Sequence, residues 1–287
     1  WNGFDVTHIG VKGVHNLKAL CRSKYIESQI GDVIIDIEQK MQKKQKVIFC
    51  GTPCQVAGLR QYLRNDYNNL LLIDLICHGV GSPSVFKSCI EEMEKQSEKK
   101  ISHYEFRAKR QVHETDYLSQ LSFSDGNKQY IIEDPYLQLF LKQLCLRPSC
   151  GKNCQYRNGI RPGDITIADF KGLFNIFPHL LGEKKNYSTV ISNTPKGEQA
   201  IEELQKNVKL LACSTDDILR FNPLFAKQTW FSDSRDQFFK EYVSNPLVSI
   251  QKWTKPYKKY SLSFRQNLFN RLPIFARKLI LKLKNNG

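Results

Sequence analysis

Two short apolar runs, each followed at once by a capped helix start, constrain this chain more than any other feature. The first, Lys46–Cys50, ends in Gly51-Thr52-Pro53-Cys54-Gln55. Thr52 stands at an N-cap, Pro53 takes the first helical position, and Gln55 completes a Thr-x-x-Gln capping box. The second, Leu70–Cys77, is broken only by Asp74 and leads through His78-Gly79-Val80-Gly81 into Ser82-Pro83, another cap backed by proline. A run so apolar and so short suits a buried parallel strand rather than an exposed helix. Upstream, Asp32–Met41 places Val33, Ile34, Ile37 and Met41 at helical spacing. Helix, strand, helix, strand, helix in succession predicts a parallel α/β sheet. Such sheets hold ligands at the carboxyl ends of their strands.

The rest of the chain adds strands of another kind. Phe4–Ile9 reads as a short strand. Ile101–Phe106, Tyr117–Phe123 and Lys128–Ile132 read as three more, the last two joined through Ser124-Asp125-Gly126-Asn127 as a hairpin. Asp134-Pro135 caps a helix to about Leu144, and a Cys/Gly/Pro/Asn-rich loop follows to Gly163. Asp164–Phe170, Thr189–Ser192 and Val208–Cys213 are expected strands, with a helix from Thr194-Pro195 to about Asn207. No internal repeat is present. The expected fold is mixed α/β: a largely parallel sheet flanked by helices, with an inserted antiparallel hairpin and a cysteine-rich loop. Residues 1–245 are expected to form the domain and 246–287 a basic appendage.

Composition narrows the function. The 287 residues are 41% hydrophobic and 25% charged, as in a globular protein. The formal charge is +15, but residues 251–287 hold ten Lys+Arg and no Asp or Glu, leaving +5 for the remainder. Without a nucleic-acid motif in the body, nucleic acid is not an expected partner. Apolar residues of Phe264–Lys284 recur every three or four positions among the basic ones, interrupted by Pro273. That pattern fits a cationic helix on an anionic bilayer, or one packed on the body through its apolar stripe. No apolar stretch is long enough to span a membrane. The chain opens on Trp1 without a signal-peptide pattern, so an upstream segment is expected.

Nine cysteines suit reduced thiols, metal ligands or redox groups better than a disulfide framework. Cys54 would lie in a first helical turn, where backbone N–H groups and the helix dipole favour a thiolate. Cys77 ends the neighbouring strand, at the same sheet edge. Cys145, Cys150 and Cys154 fall within ten residues on one loop and point to a single inorganic site. A fourth ligand would come from Cys54 or Cys77, and spacing alone leaves zinc and an iron–sulfur cluster both open. The glycines after Cys77 suit phosphate binding, and Asp164 and Asp169 could meet a cofactor or cap strand ends.

Together these segments resemble the coenzyme F420 hydrogenase/dehydrogenase beta-subunit family, in the form found in bacterial polysaccharide-biosynthesis regions. The resemblance runs through Ser23–Ser28, Phe49–Leu59, Asp74–Val80, Cys145–Cys154 and Asp164–Phe170, with the string from Gly51 to Leu59 its most specific part. Three residues separate Cys150 from Cys154 where the family usually has two, and Phe170-Lys171-Gly172 replaces its Phe-Trp-Gly. The resemblance implies a cytoplasmic oxidoreductase, peripheral at the inner face of the membrane if the tail binds there. It implies FAD and a [4Fe–4S] cluster, exchange of electrons with a protein such as ferredoxin, and a link to surface-polysaccharide synthesis. It implies Cys145, Cys150 and Cys154 as cluster ligands with Cys54 or Cys77, and Gly51, Thr52, Gln55, His78, Gly79, Asp164 and Asp169 as cofactor contacts. The rival readings are a zinc-stabilised, non-redox binding module and a membrane-surface adaptor.

Overall fold

The computed structural model describes residues 4–108, 118–151, 153–170, 172–180, 187–227, 231–260, 268 and 271–285. Two four-stranded sheets organise it. The first joins β3 (Val47–Cys50), β4 (Leu70–Leu75), β8 (Ile165–Asp169) and β9 (Ser188–Ser192) in that order. β3, β4 and β8 are parallel, and β9 is antiparallel to β8, so the sheet is mixed at one edge. Cys50 lies opposite Ile73 and Asp74 opposite Thr166. A small parallel pair, β1 (Val6–Thr7) and β2 (Ser28–Gln29), stands apart.

One face of β3 and β4 packs on α1 (Val33–Gln42) and α2 (Pro53–Leu63). Ile37, Met41, Val56, Leu59, Leu70 and Leu72 form that core. Along β4 buried residues alternate with half-buried ones, so the strand is covered fully on one face only. The capping box at α2 is complete: the Thr52 N–H donates to Gln55 Oε1 at 3.0 Å, and the Thr52 side chain receives the Gln55 N–H. α6 (Pro195–Gln205) is capped by Thr194 and lies hard against β8. A Cβ on Gly197 would sit 2.1 Å from the Asp164 carbonyl oxygen, so only glycine allows that approach.

The second sheet is larger than the expected hairpin. β5 (Ile101–Glu105), β6 (Ser119–Phe123) and β7 (Lys128–Ile132) form an antiparallel meander, extended by β10 (Lys258–Lys259) on the free side of β7. It packs with α3 (Pro83–Ser97) and α4 (Pro135–Leu141) around an aromatic core of Phe86, Tyr104, Phe106 and Tyr136. β10 comes from the stretch that composition assigned to the appendage. So does α9 (Pro246–Trp253), which packs on α3 and α8 (Arg235–Ser244) with Ile250 fully buried. The Trp253 indole N–H donates to Glu241 Oε2 at 2.8 Å. Charge counting missed this because Lys252 is exposed on a helix whose opposite face buries Ser249 and Ile250.

The strand expected at Val208–Cys213 does not form. Leu210 and Leu211 are only half-buried, and the segment runs without a sheet partner into Ser214, the cap of α7 (Thr215–Phe221). A short helix, α5 (Leu173–Ile176), and a 3-10 turn at Pro178–Leu180 follow β8. The last described helix is α10 (Ile274–Asn285).

Candidate metal centre

The carboxyl edge of β3 and β4 gathers thiols. Cys54 lies in the first turn of α2, its Sγ 3.1 Å from Thr52 Oγ1. Cys77 follows the end of β4, and its Sγ accepts the Gly79 N–H at 3.3 Å. The Val80 N–H donates to Cys150 Sγ at 3.4 Å. This brings the cysteine loop to the edge of the sheet, and the backbone explains how. Gly81 bridges Ile26 on one side and Leu146 on the other, and the Arg147 N–H donates to the Val80 carbonyl at 3.0 Å. Residues 77–82 are thus held between two other segments. Gly79 adopts φ +125°, and a Cβ there would come within 3.2 Å of the Cys150 Cβ, so both backbone and space call for glycine.

Electrostatics relates the same thiols to one another. Burial pushes the Cys77 thiol up to about 12; the Gly79 N–H opposes this, while neighbouring Cys150 and Cys54 reinforce it. Burial also raises Cys150, with the Val80 N–H opposing and Cys54 and Cys154 reinforcing. Tyr156 is raised by burial and then by the same two thiols, Cys54 and Cys154. Cys54, Cys77, Cys150 and Cys154 therefore form one neighbourhood. Cys145 is not part of it. That side chain is fully buried in the aromatic core beside Tyr136, its carbonyl accepting the Ser82 N–H at 2.9 Å.

Cys145 makes a prediction about alkaline stability. Burial pushes its thiol up to about 12 in the folded chain, whereas an unfolded thiol titrates near ~8.5. The stability it contributes is complete below ~8.5 and is lost as pH rises toward the folded value, at about 1.4 kcal/mol per unit. The urea midpoint of metal-free protein should fall between pH ~9 and ~11, and Cys145→Ala should flatten that fall. An identical slope in the variant would count against it.

A buried cation stands beside the thiols. Arg157 is 3% exposed and lowers the pKa of both Cys77 and Cys150. Its Nη2 donates to the His78 carbonyl, while Nε and Nη1 have no hydrogen-bond partner among the described residues. An uncompensated guanidinium is costly, and a neighbouring anion such as a thiolate-bound cluster would relieve it. Among the described residues no three His, Cys, Asp or Glu side chains are placed to hold a single metal ion. Structural zinc draws four ligands to within ~2.3 Å of one point, whereas a four-iron cluster takes one thiolate per iron and spreads them. Donor type, number and the adjacent cation fit the cluster.

The residues expected to meet a cofactor have other partners. The Gly51 N–H donates to the Ile73 carbonyl at 3.1 Å, and Gln55 Nε2 donates to the Ser28 carbonyl at 3.0 Å, tying α2 to β2. The N–H groups of Gly79, Val80, Gly81 and Ser82 go to Cys77, Cys150, Tyr25 and Cys145, so this glycine loop serves sulfurs and backbone rather than phosphate. His78 packs its ring 5.0 Å from that of Phe140. Asp164 is buried and accepts from the Leu72 N–H at 2.9 Å, Thr194 Oγ1 at 2.9 Å and Arg60 Nη2 at 3.1 Å. Asp169, at the exposed end of β8, pairs with Arg107.

Sequence reasoning gave no role to Arg157 or to the pair Asp74–Arg161. Asp74 is fully buried and accepts from Arg161 Nη2 at 2.6 Å, Thr166 Oγ1 at 2.7 Å and the Gly163 N–H at 2.9 Å. Arg161 Nη1 in turn donates to the Tyr156 carbonyl at 2.9 Å, linking β4 to the loop that carries Cys154. A lone acid in an apolar run was the visible signal; its partner 87 residues away was not.

By fold this is a mixed α/β protein that carries several thiols near the carboxyl edge of its parallel strands. Residues 44–217 match the family model for the C terminus of the coenzyme F420 hydrogenase/dehydrogenase beta subunit, and the chain belongs to that family. It is thus a hydrogenase/dehydrogenase-related redox subunit. A solved structure of the F420-reducing [NiFe] hydrogenase complex from Methanosarcina barkeri is similar at 14% identity and a TM-score of 0.40, covering 80% of this chain and 67% of that one. No curated protein matches.

Proposed function

We propose that this chain is an iron–sulfur oxidoreductase subunit in which Cys54, Cys77, Cys150 and Cys154 hold a [4Fe–4S] cluster. The observation that supports it is the meeting of these four thiols at one sheet edge beside the partly unpartnered Arg157. When bound, a cluster passes electrons one at a time. The surrounding chain sets the conditions for that. The Gly79 and Val80 N–H groups donate to two of the sulfurs, and Arg157 places positive charge beside them; both stabilise the more negative state and so raise the reduction potential. Burial holds the Cys77 thiol protonated, so its binding to a metal would release a proton and would be favoured as pH rises. All nine cysteines are free, which suits a reducing cytoplasm.

FAD, an electron partner such as ferredoxin and a link to surface polysaccharide follow from the family resemblance rather than from these contacts. A flavin would be held by groups other than the engaged Gly51, Thr52, Gln55, Gly79 and Asp164. Anaerobic purification with iron, zinc, sulfide and flavin analysis tests the reading. About four irons per chain are expected. One zinc and no iron would overturn it and favour the zinc-stabilised module.

A further inference from the structure

We propose that Arg235, stacked between Phe231 and Phe239, is a positioning residue that clasps the cysteine loop; this rests on the reading that Cys150 and Cys154 bind metal. The guanidinium carbon lies 4.7 Å from the centre of the Phe231 ring and 4.6 Å from that of Phe239. The three side chains are four residues apart, and α8 begins at Arg235. A cation between two aromatic faces is attracted by both. Other compensation is slight. Arg235 Nε has no hydrogen-bond partner among the described residues, and the Asp236 carboxylate 3.7 Å from Nη1 is 99% exposed.

The clasp grips the loop on both sides of Cys150. Arg235 Nη2 donates to the Leu146 carbonyl at 2.9 Å, and Leu146 is the residue that bridges Gly81. The Phe231 ring sits against the backbone of Gly151, where a Cβ would come within 2.7 Å of it. The Gly151 carbonyl in turn accepts the Cys154 N–H at 3.1 Å. Displacing the stack therefore reaches Cys150 and Cys154, whereas Cys54 is positioned separately by the capped start of α2. Phe231 and Arg235 lie beyond residue 217, where the match to the family model ends, so the loop is braced from outside the matched region.

Anaerobic alkylation of the metal-free full chain by iodoacetamide, mapped by peptide mass spectrometry, tests this without bound metal. Phe231→Ala and Arg235→Met are expected to speed modification of Cys150 and Cys154 about tenfold and to leave Cys54 unchanged. Phe231→Tyr, which keeps the ring, should retain the native rates. Gly151→Ala should loosen the loop in the same way, because its methyl group displaces the ring, and should add little to Phe231→Ala. After reconstitution the loosened variants should lose iron to a chelator severalfold faster than the native chain. Native alkylation rates in both Phe231→Ala and Arg235→Met would overturn the clasp. Equal acceleration at Cys54 would also overturn it, since the whole fold would then have loosened. Faster alkylation of the loop thiols, with no iron retained by the native chain, would leave the clasp standing and overturn the cluster instead.

Discussion

Asp74→Ala is expected to cost about 3–5 kcal/mol, a large share of the stability of an ordinary domain. The carboxylate is fully buried and its partner Arg161 is 2% exposed. Arg161 reaches Asp74 through Nη2 at 2.6 Å and Nε at 3.2 Å, and also donates to the carbonyls of Leu75 and Tyr156. Removing the carboxylate leaves a buried guanidinium uncompensated and frees the Thr166 hydroxyl and the Gly163 N–H from their acceptor. Urea denaturation would measure the loss. Asp74→Leu with Arg161→Met should recover part of it, because replacing both charges removes the desolvation cost along with the attraction. A single-variant loss below ~1 kcal/mol would mean that solvent reaches this pair after all.

The second large effect concerns the thiols. Serine at Cys54, Cys77, Cys150 or Cys154 is expected to reduce iron retained after anaerobic reconstitution severalfold, from about four per chain. Cys145→Ala should retain it, because that side chain faces Tyr136 in the aromatic core. Retention across all four serine variants would remove the basis for the cluster. Loss in Cys145→Ala with unchanged thermal stability would return Cys145 to the ligand set.

Much of the fold was legible in the sequence because its signals are local. Thr52-Pro53, Ser82-Pro83 and Thr194-Pro195 mark helix starts by cap chemistry alone, and each helix begins at that proline. The site was only half legible. Cys145, Cys150 and Cys154 share a loop, but which way each thiol faces depends on Gly81 bridging Leu146 and on Tyr136 lying behind. The proposed ligand set takes both Cys54 and Cys77, where spacing offered one or the other because strand adjacency is not written in either segment. Asp164, open in the sequence to a cofactor contact or a strand-end cap, ties together β4, β8, α2 and α6, a role hidden because its partners come from positions far apart in sequence.

The pairing of β10 with β7 also bears on how the chain is made. Ile132 waits for Lys258, and α3 waits for α9, so the second sheet is completed only once residues far downstream of β7 have been synthesised. Until then β7 presents an unpaired edge, and the pocket that later takes Ile250 lies open. Such long-range closure slows folding and lengthens exposure to aggregation. Premature termination near residue 245 would leave the nascent chain dependent on chaperones, although every thiol of the proposed centre had already been synthesised.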